Sequence, residues 1–346
     1  MLLFTKNRIK ARLNRSGLAV LIVVSLTTVA LQNNAIAADV KHKISQKSFS
    51  SPEGAAAALV AAAKGDDTNA LSAILGPDGK QLIFSGDKVA DKNGRLRFVQ
   101  LYEEKNRIIK ESDVRAILEV GNDAWPFPIP IVEAGKGWRF DTKEGKIEVL
   151  NRRMGRNERG AIQTCLAYVD AQREYASKDR NGDKVLEYAQ KFRSEPGKRD
   201  GLYWEPKEGE EQSPMGIFVA NAKREGYGNK KSGDNPSPYH GYYYKILKAQ
   251  GKNAPGGAYD YVLKGRMIGG FALIAYPAQY GSSGIMTFIV SHSGEVYEKD
   301  LGKRTSSVAQ AIKIFDPDKT WHKVDSKYLE PPVQDEGGEV LLQKTK

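Results

Sequence analysis

The chain has 346 residues, with 53 Lys and Arg against 42 Asp and Glu, which gives a net charge of +11. The basic residues form no Lys/Arg block with interleaved aromatic side chains, so the composition argues against a nucleic-acid partner. A single cysteine, Cys165, excludes an internal disulfide, and its apolar helical surroundings predict a small core residue.

Residues 1–37 have the features of a secretory signal peptide. Five basic side chains precede an apolar run from Leu18 to Leu31, and Ala35-Ile36-Ala37 matches the small-x-small pattern of a cleavage site. The apolar run is shorter than the roughly 20 residues that a spanning helix needs. We therefore predict cleavage after Ala37 and a periplasmic or secreted protein without a transmembrane segment. The alternative is an uncleaved N-terminal anchor. Cleavage would leave 309 residues with a net charge of +6.

A leader, 38–48, precedes a predicted first domain over 49–150. The sequence "SSPE" (50–53) indicates a helix start, with a hydroxyl cap and an early proline. Helical patterns then extend to about 65, over 69–75 and over about 94–106. The segments "RAILEV", "PFPIPIVEA" and "GWRFDT" indicate strands. Three helices followed by an antiparallel sheet predict a small α+β domain, which resembles the nuclear-transport-factor-like fold.

A second domain is predicted over 151–325. Its first helix places Ala161, Cys165, Tyr168 and Gln172 at helical spacing, and further helices are predicted near 186–192 and 215–225. Gly-rich turns then separate strand-like segments such as "YHGYYYKIL", "GGFALIAYP" and "SGIMTFIVSH", which predict an antiparallel meander. The segment "TSSVAQAIKIF" predicts a closing helix, and the composition of 326–346 predicts a polar tail. The predicted fold class is α+β.

The polar stretch after the first helix of this second domain matches part of an EF-hand calcium loop. Calcium prefers six to eight oxygen ligands, and side chains at alternate positions of a loop can converge on one ion. The candidate ligands occupy positions one, three, five, seven and nine of the loop, and are Asp179, Asn181, Asp183, Val185 through its carbonyl, and Glu187.

Two positions of the same loop depart from the pattern. Lys184 stands where glycine normally makes the turn, and Gln190 stands where a bidentate glutamate normally closes the shell. Any site would therefore be weak, with a dissociation constant of about 10⁻⁴ to 10⁻³ M. The alternative is a polar turn in which Asp179 and Asn181 cap the backbone.

Tyrosines are concentrated in the strands of the second domain. Alternation along a strand places Tyr242 and Tyr244 on one face and Tyr243 on the other, so at least one of them must leave the main core. Aromatic surfaces bind glycans and partner proteins through large rigid contact areas, although strand cores also take tyrosine readily. These three residues are the candidate binding surface.

Carboxylates on or near the first helix of the second domain are candidates for a second kind of site, one for acid–base catalysis. Asp170 and Glu174 are four residues apart and share a helix face, and Glu158 and Asp179 lie near them in sequence. Paired carboxylates can perform acid–base catalysis, although solvated helix faces show the same pattern. The four histidines have no metal-ligand spacing.

Several long segments resemble a bacterial exported family catalogued as Domain of Unknown Function 2950. They include "NRRMGRNERGAIQTCLAYVDAQREYASKDRNGD", "PYHGYYYKIL", "GGAYDYVLKGRMIGGFALIAYPAQYGSSGIMTFIVSHSGEVYEKDLG" and "FDPDKTW". The resemblance spans about Phe49 to Trp321 and implies no activity. The order of one amphipathic helix and a Gly-rich meander also resembles the globular head of type IV pilins and pseudopilins. Because the helix here is internal and polar, this second resemblance concerns the fold only.

These observations predict an exported envelope protein, most simply a non-catalytic binding or assembly module with a weak calcium loop. Its partner would be an envelope protein or a glycan. The alternatives are an envelope hydrolase that uses carboxylates of the second-domain helix, and a purely structural envelope protein.

Overall fold

The computed structural model describes residues 46–228 and 237–330. The predicted signal peptide, most of the predicted leader and most of the polar tail lie outside these residues. Within them the α-helices are α1 (Pro52–Lys64), α2 (Thr68–Leu75), α3 (Lys80–Ile83), α4 (Lys88–Glu104), α5 (Thr142–Ala176), α6 (Gly216–Arg224) and α7 (Thr305–Ala311).

Two five-stranded antiparallel sheets and two short two-stranded sheets accompany these helices. The strands are β1 (Asn106–Ser112), β2 (Arg115–Val120), β3 (Trp125–Pro126), β4 (Ile131–Ala134), β5 (Gly137–Phe140), β6 (Tyr242–Leu247), β7 (Ala249–Gln250), β8 (Tyr259–Asp260), β9 (Val262–Leu263), β10 (Arg266–Met267), β11 (Ala272–Pro277), β12 (Met286–Ser291), β13 (Val296–Asp300) and β14 (His322–Lys323). The predicted α+β class is confirmed.

The N-terminal region packs helices on one face of its sheet. Helix α1 begins where the sequence predicts, with Ser51 as the N-cap that accepts the N–H of Gly54 and Pro52 in the first turn. Strand order is β1-β2-β4-β5, with β3 paired to β2. Ala116, Leu118 and Val120 of β2 are buried, whereas the residues between them are only partly covered. One face of this sheet therefore forms the first hydrophobic core.

The opposite face of the same sheet forms a groove of about 360 Å³, called here the N-terminal groove. Its apolar lining includes Ile109, Ile117 and Phe127, and the first turns of α5 contribute Glu148 and Arg152. The Arg152 guanidinium lies 4.9 Å from the ring centroid of Trp125.

Helix α5 has 35 residues and connects the two hydrophobic cores. Val149 packs against the core formed by residues 55–140, and the buried residues from Ala161 onward belong to the core that extends to Val324. The predicted boundary between 150 and 151 falls inside this continuous helix. The two-domain division itself stays a prediction.

The C-terminal sheet is covered on both faces. Its order, β14-β13-β12-β11-β6, is that of the predicted meander with short strands inserted between β6 and β11. Helix α5 packs on one face, where Tyr168 donates a hydrogen bond to the Ala272 carbonyl, and α7 packs on the other. All six residues of β11 are buried as a result.

Residues 186–192 are not helical, so the helix predicted there is wrong. The segment is held extended by partners distant in sequence: the Tyr188 N–H donates to the Met267 carbonyl, and the Gln172 side chain bonds both backbone groups of Ala189. These tertiary hydrogen bonds outweigh the local helical preference. Among residues 46–228 and 237–330, no helix combines the length and apolarity that crossing a membrane requires.

Candidate functional site

The loop from Asp179 to Glu187, called here the 179–187 loop, follows the end of α5. The Asp179 carboxylate accepts the N–H groups of Asn181 at 3.1 Å, Gly182 at 2.8 Å and Lys184 at 2.7 Å. These backbone hydrogen bonds, with that from Lys184 the strongest influence, hold the pKa of Asp179 below its usual value. The loop is thus wound around one ionised carboxylate.

Three other side chains of this loop converge. The Asn181 Nδ2 group donates to Asp183 Oδ2 at 3.1 Å and to Glu187 Oε1 at 2.9 Å. Burial raises the pKa of Glu187, and the nearby charge of Asp183 adds to this effect. Two carboxylates therefore point at one amide group, which now occupies the space between them.

The position of the loop is fixed by Arg180. Its side chain is only 3% exposed and donates to Glu211 Oε2 at 2.8 Å. The guanidinium also lies 5.7 Å from the ring centroid of Tyr175 and 5.4 Å from that of Trp204. A buried arginine between aromatic rings anchors the loop to the rest of the C-terminal region.

The loop offers an incomplete shell for a cation. Asp183 also pairs with Arg266 at 2.8 Å, which neutralises part of its charge. In the part of the chain that the structure describes, no three or more His, Cys, Asp and Glu side chains are grouped to hold a metal. An ion at this loop would depend on the Asn181 amide oxygen and the Val185 carbonyl, both oxygen donors that calcium accepts.

The candidate tyrosines lie at different depths on β6. Tyr242 is fully buried and donates from its hydroxyl to the Met286 carbonyl at 2.9 Å. Burial raises the pKa of Tyr244, which is half-buried on the same face. Tyr243, on the opposite face, is half-buried against Tyr276 with 5.6 Å between the ring centroids. Tyr243 and Tyr244 are thus both partly covered and pack against the C-terminal core from opposite faces of the sheet.

The carboxylates of α5 do not form one group. Asp170 is 80% exposed in its side chain, with Arg173 at 3.7 Å, and Glu174 is exposed. Glu158 is partly buried instead, and its Oε1 accepts the N–H groups of Ile285 at 2.8 Å and Met286 at 3.1 Å. Burial, and then the nearby Glu158, raise the pKa of Glu298 on β13.

Cys165 lies at the centre of the second core. It is fully buried, and burial raises the pKa of its thiol to about 12. A thiol in that state is a poor nucleophile, which agrees with the predicted packing role.

Sequence reasoning missed a polar cluster that joins the two regions. The buried carboxylate of Asp87 caps α4 and also accepts, through Oδ2, the Tyr227 hydroxyl and the Gly241 N–H, both at 2.9 Å. Beside it, His240 bonds Glu225 at 2.7 Å and stacks on Tyr239 with 4.1 Å between the centroids.

These partners are separated by up to 154 positions. The helix cap was therefore the only local signal at Asp87, and no local sequence pattern predicted that Tyr227 and Gly241 contact it.

Comparison with known proteins gives one match. No curated protein and no solved structure matches the chain, so the nuclear-transport-factor-like and pilin-like resemblances stay predictions. A family model described as "Protein of unknown function (DUF2950)" matches residues 46–324, which is most of the chain. The chain therefore belongs to the DUF2950 family, as its long motifs predicted.

Proposed function

We propose that this chain is an exported, non-catalytic binding or assembly module of the bacterial envelope whose 179–187 loop takes up calcium weakly. The observation that carries the proposal is the convergence of Asp183 Oδ2 and Glu187 Oε1 on the Asn181 side-chain amide. A rotation of that amide would replace its NH₂ group by its oxygen and give three oxygens facing one point. It would break the hydrogen bond that this oxygen accepts from the Asp183 N–H at 3.1 Å. The signal-like N-terminus supports export.

The charges around the loop set the expected strength. Lys184 lies within the loop and Arg266 already pairs with Asp183, so an incoming cation meets repulsion as well as attraction. Two carboxylates with partial neutralisation agree with a dissociation constant of about 10⁻⁴ to 10⁻³ M. Calcium in that range could strengthen contact with an envelope protein or glycan by holding the loop in one conformation.

Calorimetric titration of the mature protein with calcium tests the proposal, with magnesium in parallel. We expect calcium to release or absorb heat at millimolar concentration and to raise the melting temperature. At ten times the dissociation constant, the free energy of unfolding should rise by about 1.4 kcal/mol. Magnesium should act more weakly because it requires near-ideal octahedral geometry.

Two variants locate the effect. Glu187→Gln and Asp183→Asn should each abolish the response, whereas Asp170→Asn should keep it because that exposed carboxylate lies outside the loop. The calcium part of the proposal fails if wild type shows neither heat nor a melting shift at millimolar calcium. It fails equally if Glu187→Gln responds as wild type does.

The arrangement of Glu158 favours a second candidate, hydrolysis by carboxylates of α5. Glu158 is held by two backbone N–H groups, and the neighbouring Glu298 has a raised pKa. Two neighbouring carboxylates in different environments are a common acid–base arrangement. Turnover of chromogenic esters or glycosides that Glu298→Gln abolishes would favour this candidate, since a binding module should be indifferent to that change.

A further inference from the structure

A cleft of about 390 Å³ lies on the face of the C-terminal sheet that α7 covers. Its floor is Ile289 of β12, which is 1% exposed, and its walls come from residues 311–314, Asp316 and Trp321. We call it the Trp321 cleft. Clefts of about 300–1,000 Å³ with mainly apolar linings and a few polar groups are typical sites for small molecules.

The wall of the Trp321 cleft is fixed by a lysine. The Lys245 ammonium donates to three backbone carbonyls at the end of α7, those of Ala309 at 2.9 Å, Gln310 at 2.9 Å and Ile312 at 2.6 Å. The Ala309 carbonyl also accepts the Ile312 N–H at 3.3 Å, and the ammonium adds a shared donor for all three carbonyls where the helix ends. The chain that follows α7 therefore leaves the helix in one direction.

The far end of the same wall is also fixed. Phe315 is fully buried and its backbone pairs with Ala249 and Gly251 next to β7. Asp316 accepts the Asn253 N–H at 2.8 Å and the Asn253 Nδ2 at 3.0 Å. Because both ends are held, the cleft exists before any ligand arrives, and binding does not have to order its wall.

Two lysines and one carboxylate lie at the Trp321 cleft. Lys313 lines it, and its Nζ donates to the Gln310 carbonyl at 3.2 Å, but it forms no ion pair within residues 46–228 and 237–330. Lys299 adds a second cation 5.7 Å from the Trp321 ring centroid. The carboxylate in the lining, Asp316, accepts hydrogen bonds from Asn253, which is neutral, so it keeps its charge, but the two lysines outnumber it. An anionic group would therefore find an available cation at the edge of an apolar surface.

The N-terminal groove lacks this property although it is similar in size. Its Arg115 pairs with Glu111 at 2.6 Å and with Glu144 at 2.7 Å, and its Arg152 pairs with Glu148 at 2.6 Å. These arginines are neutralised by carboxylates of the chain itself. The comparison assigns a preference for negative charge to the Trp321 cleft alone.

We propose that the Trp321 cleft binds a small anionic amphiphile as a dissolved single molecule. Its hydrocarbon or aromatic body lies against Ile289, Ile314 and Trp321, and its carboxylate pairs with Lys313. The site is separate from the 179–187 loop and does not require calcium.

The test uses the intrinsic fluorescence of the mature protein, with sodium octanoate as the probe and octylamine and octanol as matched probes of the same length. We expect octanoate to change the fluorescence in a saturable way, with a dissociation constant of about 1 mM, because the ligand buries few apolar atoms. Octylamine should bind at least about tenfold more weakly because it meets Lys313 with like charge.

Three variants assign the signal. Trp321→Phe should remove the fluorescence change. Lys313→Glu should weaken the binding of octanoate at least about tenfold and strengthen the binding of octylamine. Lys303→Glu is the control, since this lysine lies outside the lining. If Lys313→Glu does not fold, the contrast between octanoate and octylamine on wild type decides.

Several results overturn the proposal. The first is a fluorescence change with octanoate that does not saturate. The second is octylamine binding as tightly as octanoate, and the third is a fluorescence change that persists in Trp321→Phe. Binding to vesicles of anionic phospholipid without binding of octanoate would overturn it as well, because the ligand would then be a membrane surface.

Discussion

The two large sheets of this molecule differ in how many of their faces are covered. In the N-terminal sheet, buried and partly covered residues alternate along β2, because helices pack on one face only. In the C-terminal sheet, β11 is buried at every residue, because α5 and α7 pack on opposite faces. The difference shows how a continuous apolar strand can occur in an antiparallel sheet, where alternation is more common.

The largest expected effect tests this difference directly. Ile274→Ala in β11 removes a fully buried side chain and should lower the free energy of unfolding by about 3–4 kcal/mol. Ile117→Ala on the open face of β2 should cost about 1 kcal/mol. Urea denaturation of both variants measures the two costs, and equal values would mean that the open face is also covered.

A second prediction concerns the joint between the two regions. Asp87→Ala should cost about 3 kcal/mol, because it removes a helix cap and leaves Tyr227 and Gly241 without their buried acceptor. Asp67→Ala is the matched control, since Asp67 caps α2 through the same two backbone contacts but has no distant partner among the described hydrogen bonds. It should cost about 1 kcal/mol, as a cap alone does.

The same pair of variants tests whether the joint adds stability beyond that of a helix cap. If Asp67→Ala and Asp87→Ala cost the same, the hydrogen bonds across the joint contribute nothing beyond the cap. Two separate unfolding transitions in Asp87→Ala, with one in wild type, would show that this carboxylate couples the regions.

A third prediction concerns the covering of the C-terminal sheet by α7. Lys245→Met should cost about 1–2 kcal/mol, because three carbonyls at the end of α7 lose the hydrogen bonds from its ammonium. Lys248→Met, near the end of the same edge strand but exposed, should cost less than about 0.5 kcal/mol. Thermal melting of the two variants separates the cap from a general effect of removing a lysine.

The smallest effect belongs to the ion pairs on the open N-terminal face. Hydrogen bonds from Arg115 lower the pKa of Glu144, so this pair stabilises the fold above the unfolded-state pKa of glutamate. That contribution disappears as the pH falls through the lower pKa of the folded state. Because both side chains are at least one-third exposed, Glu144→Gln should cost only about 0.5 kcal/mol at pH 7 and nothing near pH 2. A cost that persists at pH 2 would show that the pair is not its cause.

The sequence predicted elements whose signals are local. The hydroxyl–proline start of α1, the pattern of α2 and the meander from β11 to β13 were readable from spacing and turn residues. The helices α4 and α7 were also predicted, but α4 begins at Lys88, before the predicted start, and α7 ends at Ala311, before the predicted end. The predicted α+β class followed from their order. Each of these elements has its apolar pattern and its end signals within a few neighbouring residues.

The failures occurred where distant residues decide the local structure. Residues 186–192 have a helical pattern but are held extended by Gln172 and Met267, as described above. The joint at Asp87 depends on partners that lie far away in the sequence. The lack of an ion pair at Lys313, among residues 46–228 and 237–330, likewise cannot be seen in a short stretch of sequence. The 179–187 loop lies between these cases, because its turn was readable and the Arg266 contact was not.

Because α5 is continuous, its helical repeat fixes the direction in which each of its two apolar stripes faces, and so the relative orientation of the two cores. An α-helix turns by about 100° for each residue. A single residue inserted between Val149 and Ala161 would therefore swing the apolar stripe of one half away from its core while the other half stayed in place. Length changes in this family should accumulate in loops, and the stretch between these two residues should keep a constant length.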